Sequence, residues 1–299
     1  MNVLSLNIRG LGNPGKADWV RGLRVHHEVS FIMIQETQFV DLDSVDVGRF
    51  WGRGDFCFDW VASAGRSGGL LSLWDPKVFA MREVSKFSNC LLVSGNIKGS
   101  GVSNHMLNVY APQNVVAKRG LWAEIGELIG DGDVLWMVAG DFNSVRSEGE
   151  RRNSIFNASE ANEFNDFIDN TNLHEYSLKG RRFTFVVGEK LSRIDRIFVN
   201  WNFFMEWPSA EYVALEMNKS DHSPLVLKTV YRNFGPKPFR FYNSWLDRED
   251  FGEVVRKSIG EGHYVGHPDT RLTGKFKSLR KDISVWVDEC KKKELGENF

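Results

Sequence analysis

The chain is poor in cysteine, with 3 in 299 residues. Cys57, Cys90 and Cys290 are odd in number and share no metal-ligand or redox spacing. That excludes a disulfide scaffold and a thiolate metal centre, and it suits a reducing compartment, nuclear or cytoplasmic, rather than secretion. No apolar run approaches the roughly 20 residues of a bilayer-spanning helix, so no membrane association is expected. The first residues enter a strand pattern at once, so no signal peptide is expected. Charge of one sign is also missing. The formal net charge of -1 excludes a global basic footprint, and any nucleic-acid binding must come from Lys and Arg gathered on one face. There is no internal repeat and no low-complexity segment. What remains is a soluble globular composition, and 22 Phe with 10 Trp supply ample core.

The clearest strand is Val134-Leu-Trp-Met-Val-Ala139, which stops at Gly140-Asp141-Phe-Asn143. The run is short, apolar without alternation, and rich in β-branched and aromatic residues, as a strand buried on both faces should be. Asp141 and Asn143 are two apart, so in an extended chain they point to the same side. The plainer reading of such a pair is an Asx-type turn closing a strand. Before it, Val3–Leu6 and Val29–Ile34 read as strands around a helix over Asp18–Glu28, and five strands with hairpin-like spacing follow between Phe56 and Tyr110. Helices are expected over Ala117–Ile129 and Ala158–Asn170, the second capped by Asn157 or Ser159. The remaining strands are expected at Phe183–Val187, Ile194–Val199, Tyr212–Leu215 and Leu225–Val230. Gly235-Pro-Lys-Pro238 reads as a linker. Beyond it, two helices are expected near 246–258 and 272–292, the latter with a narrow apolar seam of Phe276, Leu279, Ile283, Trp286 and Cys290.

Gly10-Leu-Gly12-Asn-Pro-Gly15 matches the glycine loop of a dinucleotide-binding fingerprint, with the acid Glu36 about 20 residues on. Two features count against that reading: Pro14 falls inside the loop, and polar residues at several later strand ends stay unexplained. Those residues are Asn7, Glu36, Tyr110, Asp141 and Asn143, Asp195, and the Ser220-Asp221-His222 run. Taken singly, each has a turn, cap or packing explanation. Together they hold four carboxylates, two amides, a phenol and an imidazole at strand ends, where α/β folds place their sites. Hard oxygen donors suit magnesium or manganese rather than zinc.

These words, with Gln35-Glu-Thr37, Tyr110-Ala-Pro112, Gly140-Asp-Phe-Asn-Ser-Val-Arg146, Glu150-Arg-Arg152 and Ser192-Arg-Ile-Asp195, occur in the order typical of the endonuclease/exonuclease/phosphatase superfamily. They look most like the nuclease domain of plant LINE-type retrotransposons. The resemblance covers residues 1 to about 232. It implies an α/β four-layer sandwich of two mixed β-sheets flanked by helices, here with a short helical C-terminal tail. The domain reading is a nuclease domain at 1–232, a linker at 233–238 and a helical connector at 239–299. No reverse-transcriptase motif follows.

The resemblance also implies roles. Glu36, Asn7 and Asp221 lie on the metal side, with Mg2+ or Mn2+ as the only cofactor. Asp141, Asn143, Tyr110, Asp195 and His222 carry the chemistry. Asp141 orients or deprotonates the attacking water, and Asp195 fixes the tautomer of His222 and favours its charged form. Thr184 and Ser192 match secondary phosphate-side positions. Arg9, Lys16, Arg146, Arg151 and Arg152 lie in loops after site strands and are candidates for contacts with DNA phosphates. The implied activity is metal-dependent nicking of DNA to leave a 3′-hydroxyl. The alternatives are an abasic-site nuclease or phosphatase of the same superfamily, and a non-enzymatic mobile-element remnant acting as a binding module. Oligomeric state is not legible.

Overall fold

The central strands split their side chains between two cores. The computed structural model describes residues 1–41, 45–65, 67–99, 101–130, 132–229, 245–246, 248, 250–260 and 266–294. The expected linker at 233–238 lies outside the described residues. The chain divides into two compact units, Met1–Tyr231 and Arg232–Phe299.

In chain order the first unit holds β1 (Asn2–Asn7), α1 (Lys16–His26), β2 (Val29–Gln35), α2 (Gly48–Trp51), β3 (Cys57–Ala64), β4 (Ser67–Trp74), β5 (Phe79–Lys86), β6 (Cys90–Ile97), β7 (Ser103–Tyr110), α3 (Val115–Leu128) and β8 (Leu135–Asp141). It continues with β9 (Arg151–Arg152), α4 (Ala158–Asn170), β10 (Leu173–His174), β11 (Leu178–Gly180), β12 (Phe185–Val187), β13 (Lys190–Ser192), β14 (Asp195–Asn200), α5 (Trp201–Glu206), β15 (Glu211–Ala214) and β16 (Leu225–Lys228). One sheet has the order β11-β15-β16-β1-β2-β4-β3, the other β10-β14-β8-β7-β6-β5, and β12-β13-β9 form a small third sheet. Both large sheets are mixed. β1 runs parallel to β2, and β7 parallel to β8, among mostly antiparallel neighbours.

Side chains alternate across a strand, and here both faces are apolar. Val3, Phe31, Met33, Met106, Met137, Ala139 and Ile197 meet in the core between the two large sheets. Their neighbours Leu4, Leu6, Ile32 and Ile34 face outward and pack with Val20 of α1 and with Phe50 and Trp51 of α2. On the other side Leu107, Val109, Trp136, Val138 and Phe198 pack against Leu121, Trp122 and Ile125 of α3 and Phe164, Phe167 and Ile168 of α4. Helices, sheet, sheet, helices make the expected four layers. Double burial explains why β8 reads as an unbroken apolar run. Asn157, not Ser159, caps α4, accepting from the N–H groups of Ser159 and Glu160.

The inward-facing rows change character along the strands. Toward one end of the sandwich they become polar: Ser5 and Asn7 on β1, Gln35 on β2, Ser72 on β4, Asn108 and Tyr110 on β7, Asp141 on β8 and Asp195 on β14. Fully buried Asn108 crosses from one sheet to the other. Its Nδ2 donates to Ile34 O at 3.1 Å and Leu71 O at 3.2 Å, and its Oδ1 accepts from Gln35 Nε2 at 2.7 Å. Buried polar groups need such partners, so this layer fixes how the two polar rows face each other.

Among its described residues the second unit holds two helices, α6 (Phe251–Gly260) and α7 (Pro268–Glu294). Ile283, Trp286 and Cys290 pack with Phe251, and Trp286 Nε1 donates to Asp250 Oδ2 at 2.8 Å. The expected seam is shorter than its spacing suggests, because Phe276 is 61% exposed.

Gly140 precedes Asp141 with φ 152°, and a Cβ there would sit 1.9 Å from Val109 O on the neighbouring strand. Gly140→Ala should therefore separate β7 from β8 and cost about 3 kcal/mol. Urea denaturation reads this as a lowered midpoint; an unchanged midpoint would show that the strands part freely here.

Candidate active site at one end of the sandwich

Strand register assembles the site. Tyr110 pairs with Asp141 across β7 and β8, and Asp141 pairs with Asp195 across β8 and β14. The three side chains therefore stand in one inward-facing row. On the opposing sheet Asn7 pairs with Gln35, the last residue of β2 before Glu36. Asn7 Nδ2 spans the two sheets and donates to Asp141 Oδ2 at 2.9 Å. Tyr110 also spans them, its hydroxyl donating to Glu36 Oε1.

The last loop delivers His222. Ser220 Oγ donates to Asn7 O at 2.7 Å and accepts from His222 N, so this serine ties the loop to the end of β1. Nδ1 of His222 lies 2.9 Å from both Asp195 oxygens, and the Phe185 ring lies 4.7 Å from the imidazole. Burial alone would lower the His222 pKa. The Asp195 carboxylate, with Asp141 and Glu36 behind it, outweighs burial and raises it to about 8. Burial and the neighbouring Asp195 push Asp141 up to about 7, although hydrogen bonds from Asn143 N and Asn7 pull the other way. Burial, then the bond to Glu36, raises the Tyr110 phenol, which stays a neutral donor.

Several loop residues that shape the site are strained. Arg9 (φ 52°), Glu36 (φ 53°), Gln38 (φ 60°) and Asn143 (φ 46°) all occupy the left-handed region without being glycine. Each such residue costs about 1–3 kcal/mol and persists where its surroundings over-determine it. The strain at Asn143 corrects one expectation: the chain is not extended after Asp141, so the two side chains do not simply point together. Instead Asp141 Oδ1 accepts from Asn143 N at 2.9 Å as an Asx-type turn, and Asn143 Nδ2 donates to Ala111 O at 2.8 Å.

Asn7, Glu36, Tyr110, Asp141, Asp195 and His222 thus lie together; Asn143 joins them through its backbone N–H, and Asp221 through Arg9, whose own N–H donates to Asn7 Oδ1 at 3.1 Å. The secondary positions are placed differently. Thr184 is fully buried, and its Oγ1 accepts from Ile194 N at 3.1 Å and Asp195 N at 3.0 Å. It sets the start of β14 and has no surface to offer a phosphate, which corrects its expected contact. Ser192 is buried on β13. Arg9 is half-exposed and paired with Asp221. Arg146 Nε is held by Asn165 Oδ1 at 2.8 Å, Arg151 Nη1 by Ile155 O at 2.9 Å, and Arg152 is exposed. Lys16 is buried and bonded to backbone carbonyls, so it is not a phosphate contact. The sequence reading also missed Asn89, whose Nδ2 and backbone O grip the backbone of Tyr110, both at 2.9 Å. A groove of about 780 Å³ opens beside Glu36 and Tyr110 and runs past Ser63, Gly68, Phe87 and Asn89.

The donor set fits a divalent cation. Carboxylate and amide oxygens dominate it, with no thiol. Asp221 Oδ1 is buried without a hydrogen-bond partner among the described residues. Ligand atoms of Asp141, Asp195 and His222 lie within 4.8 Å of one another, close enough to hold an ion. That group excludes Glu36, the expected principal ligand. Its His222 Nδ1 already faces Asp195, so only Nε2 is left to coordinate.

Thr184→Val keeps the shape and removes the acceptor of two buried N–H groups. It should destabilise the fold by about 2–3 kcal/mol, read as a shift in the urea midpoint. A neutral effect would mean that β14 is held without it.

A search of curated proteins finds no match. Solved structures do share the fold. An AP endonuclease, LMAP, from Leishmania major aligns at 12% identity over 76% of this chain and 86% of its own, with a TM-score of 0.61. An AP endonuclease from Archaeoglobus fulgidus aligns at 14% identity over 76% and 98%, with a TM-score of 0.60. The endonuclease domain of TRAS1, a telomere-specific non-LTR retrotransposon, aligns at 13% identity over 76% and 97%, with a TM-score of 0.55. The model of the endonuclease/exonuclease/phosphatase family matches residues 4–222, a span that ends on the histidine facing Asp195, and the chain belongs to that family.

Proposed function

We propose that this protein is a Mg2+- or Mn2+-dependent endonuclease of a LINE-type element, hydrolysing DNA phosphodiester bonds to leave a 3′-hydroxyl. The observation that carries the reading is the in-register row of Tyr110, Asp141 and Asp195, closed by Asn7 from the opposite sheet and His222 from the last loop. The likeness to the TRAS1 endonuclease domain and the retrotransposon-like wording of the motifs support the choice within the family. Residues 1–232 carry the activity in this reading, and 239–299 serve as a connector.

Asp141, raised to about 7 by burial and Asp195, is a base suited to taking a proton from water near neutral pH. Asn7 and the Asn143 N–H hold its two oxygens in place. His222, raised to about 8 against the effect of burial, is an imidazolium at neutral pH and directs its Nε2–H at a phosphate oxygen. Asp195 fixes that orientation and balances the charge. Tyr110 stays protonated and donates. Glu36, Asn7 and Asp221 would hold the divalent ion, which supplies positive charge to the phosphate when bound. With a net charge of -1, DNA binding rests on a local patch, for which Arg152 is exposed and Arg9 would have to share its guanidinium with Asp221.

Conversion of supercoiled plasmid to the nicked circle, with and without Mg2+, tests the activity. Glu36→Gln should abolish nicking at ordinary Mg2+ while leaving the fold intact, and raised metal should restore part of it. Near-normal nicking by that variant at low metal would remove Glu36 from the metal side. Cleavage confined to abasic sites, with intact DNA untouched, would move the protein to the repair branch of the family.

His222→Ala and Asp195→Ala should each slow nicking on the order of 10²-fold or more. If Asp195 acts through His222, the double variant should be about as slow as His222→Ala alone. Single-turnover rates decide this, and fully additive losses would refute the pairing.

A further inference from the structure

Two lysines sit in the first turns of their helices, where a positive charge opposes the helix dipole. Lys16 opens α1, and Lys118 lies in the first turn of α3. Both are 3% exposed, and burial of a lysine is costly unless its charge is well paired or hydrogen-bonded. Neither belongs to the chemistry described above.

Their hydrogen bonds explain the placement. Lys16 Nζ donates to Ile8 O at 2.6 Å, Arg9 O at 2.8 Å and Gly10 O at 2.9 Å. Three donors meet three carbonyls, which saturates the ammonium. Lys118 Nζ donates to Asn143 O at 2.6 Å and pairs with Glu160. The two sites share one feature. Each ammonium takes the carbonyl of a non-glycine residue in the left-handed region just beyond a site strand, Arg9 after β1 and Asn143 after β8.

The geometry points to Lys16 and Lys118 as positioning residues that hold these two strained loops in the shape the site needs. Three neighbouring carbonyls of one loop repel one another, and an ammonium at their centre reverses that. The Lys16 loop in turn carries the other side of the metal cluster, since Gly10 N donates to Glu36 O at 2.7 Å and Leu11 N to Thr37 O at 3.0 Å. Lys118 acts on the opposite wall, holding the turn in which Asn143 N meets Asp141 Oδ1. Neither side chain touches substrate.

The inference rests on the proposed roles of Glu36, Asn7 and Asp141, and its test includes a readout independent of them. Full-length Lys16→Met and Lys118→Met keep the apolar stem and lose the charge. In amide hydrogen exchange, Gly10 and Leu11 should exchange at least tenfold faster in Lys16→Met, and Asn143 in Lys118→Met, with β3 and β4 unchanged. Mn2+ affinity, read by electron paramagnetic resonance, should fall about tenfold in Lys16→Met. In plasmid nicking, kcat should drop at least tenfold in each variant while KM for DNA holds. If Lys16→Met does not fold, Lys16→Gln, which keeps a donor, should fold and show the same local exchange to a smaller degree. Exchange that rises uniformly across the sheets, or not at all in the two loops, overturns the inference. Local exchange as expected in a protein that nicks no DNA under any metal would uphold the tethers and sink the nuclease reading instead.

Discussion

Asp141 and Asp195 face the same way from adjacent strands, in register and both buried. Two carboxylates so close in a medium of low dielectric repel strongly, and much of the surrounding structure answers that repulsion. His222 sits against Asp195, whose carboxylate favours the charged imidazole. Asn7 and the Asn143 N–H donate to Asp141. Thr184 keeps the start of β14 where the pair stays aligned. The remaining excess of negative charge, with Glu36 and Asp221 close by, is what a divalent cation would neutralise. Chemistry and charge balance therefore favour the same occupant, a cation beside these carboxylates.

The sandwich meets a second constraint, which is how to bury so much polarity without weakening its middle. It separates the two by position along the strands. Inward rows are apolar over most of their length and turn polar at one end, where Asn108 and Gln35 satisfy each other across the inter-sheet space. Four of the seven non-glycine residues at positive φ among the described residues, Arg9, Glu36, Gln38 and Asn143, fall in loops at the same end. A well-packed body carries a costly rim, and the rim is where reactivity is needed.

Much of this was legible in the sequence, for identifiable reasons. Long strands buried on both faces announce themselves through runs such as Val134 to Ala139, and α4 was read to its exact bounds because its apolar spacing and Asn cap agree. Short elements such as α2, α5, β10 and β11 carry too few residues to show a period. The set of site residues was readable as strand-end polarity, but the row of Tyr110, Asp141 and Asp195 was not, because register depends on pairing between distant segments. The resemblance set Thr184 on the phosphate side, and in sequence a hydroxyl gives no sign of whether it faces water or backbone. Lys118 did leave a signal. It stands three, four and seven residues before Leu121, Trp122 and Ile125, on the apolar face of α3, where a lysine has no business unless it has an acceptor to reach.

The pairing of β1 with β16 has a consequence for how the chain comes to exist at all. Asn2 through Ser5 lie beside Lys228 through Leu225, so the first strand of this unit finds one of its permanent neighbours only after nearly all the rest of the unit has been made. Until then β1 presents an open edge in a half-built sheet, and β2 alone must hold it. Such long-range closure slows folding and exposes strand edges to wrong partners. It also leaves Met1 beside Thr229, with Thr229 Oγ1 donating to Met1 O. The two ends of the unit are thus near enough for a short peptide to join, and the chain could be reopened at an exposed turn such as that around Gly188, turning the slowest contact of synthesis into a local one.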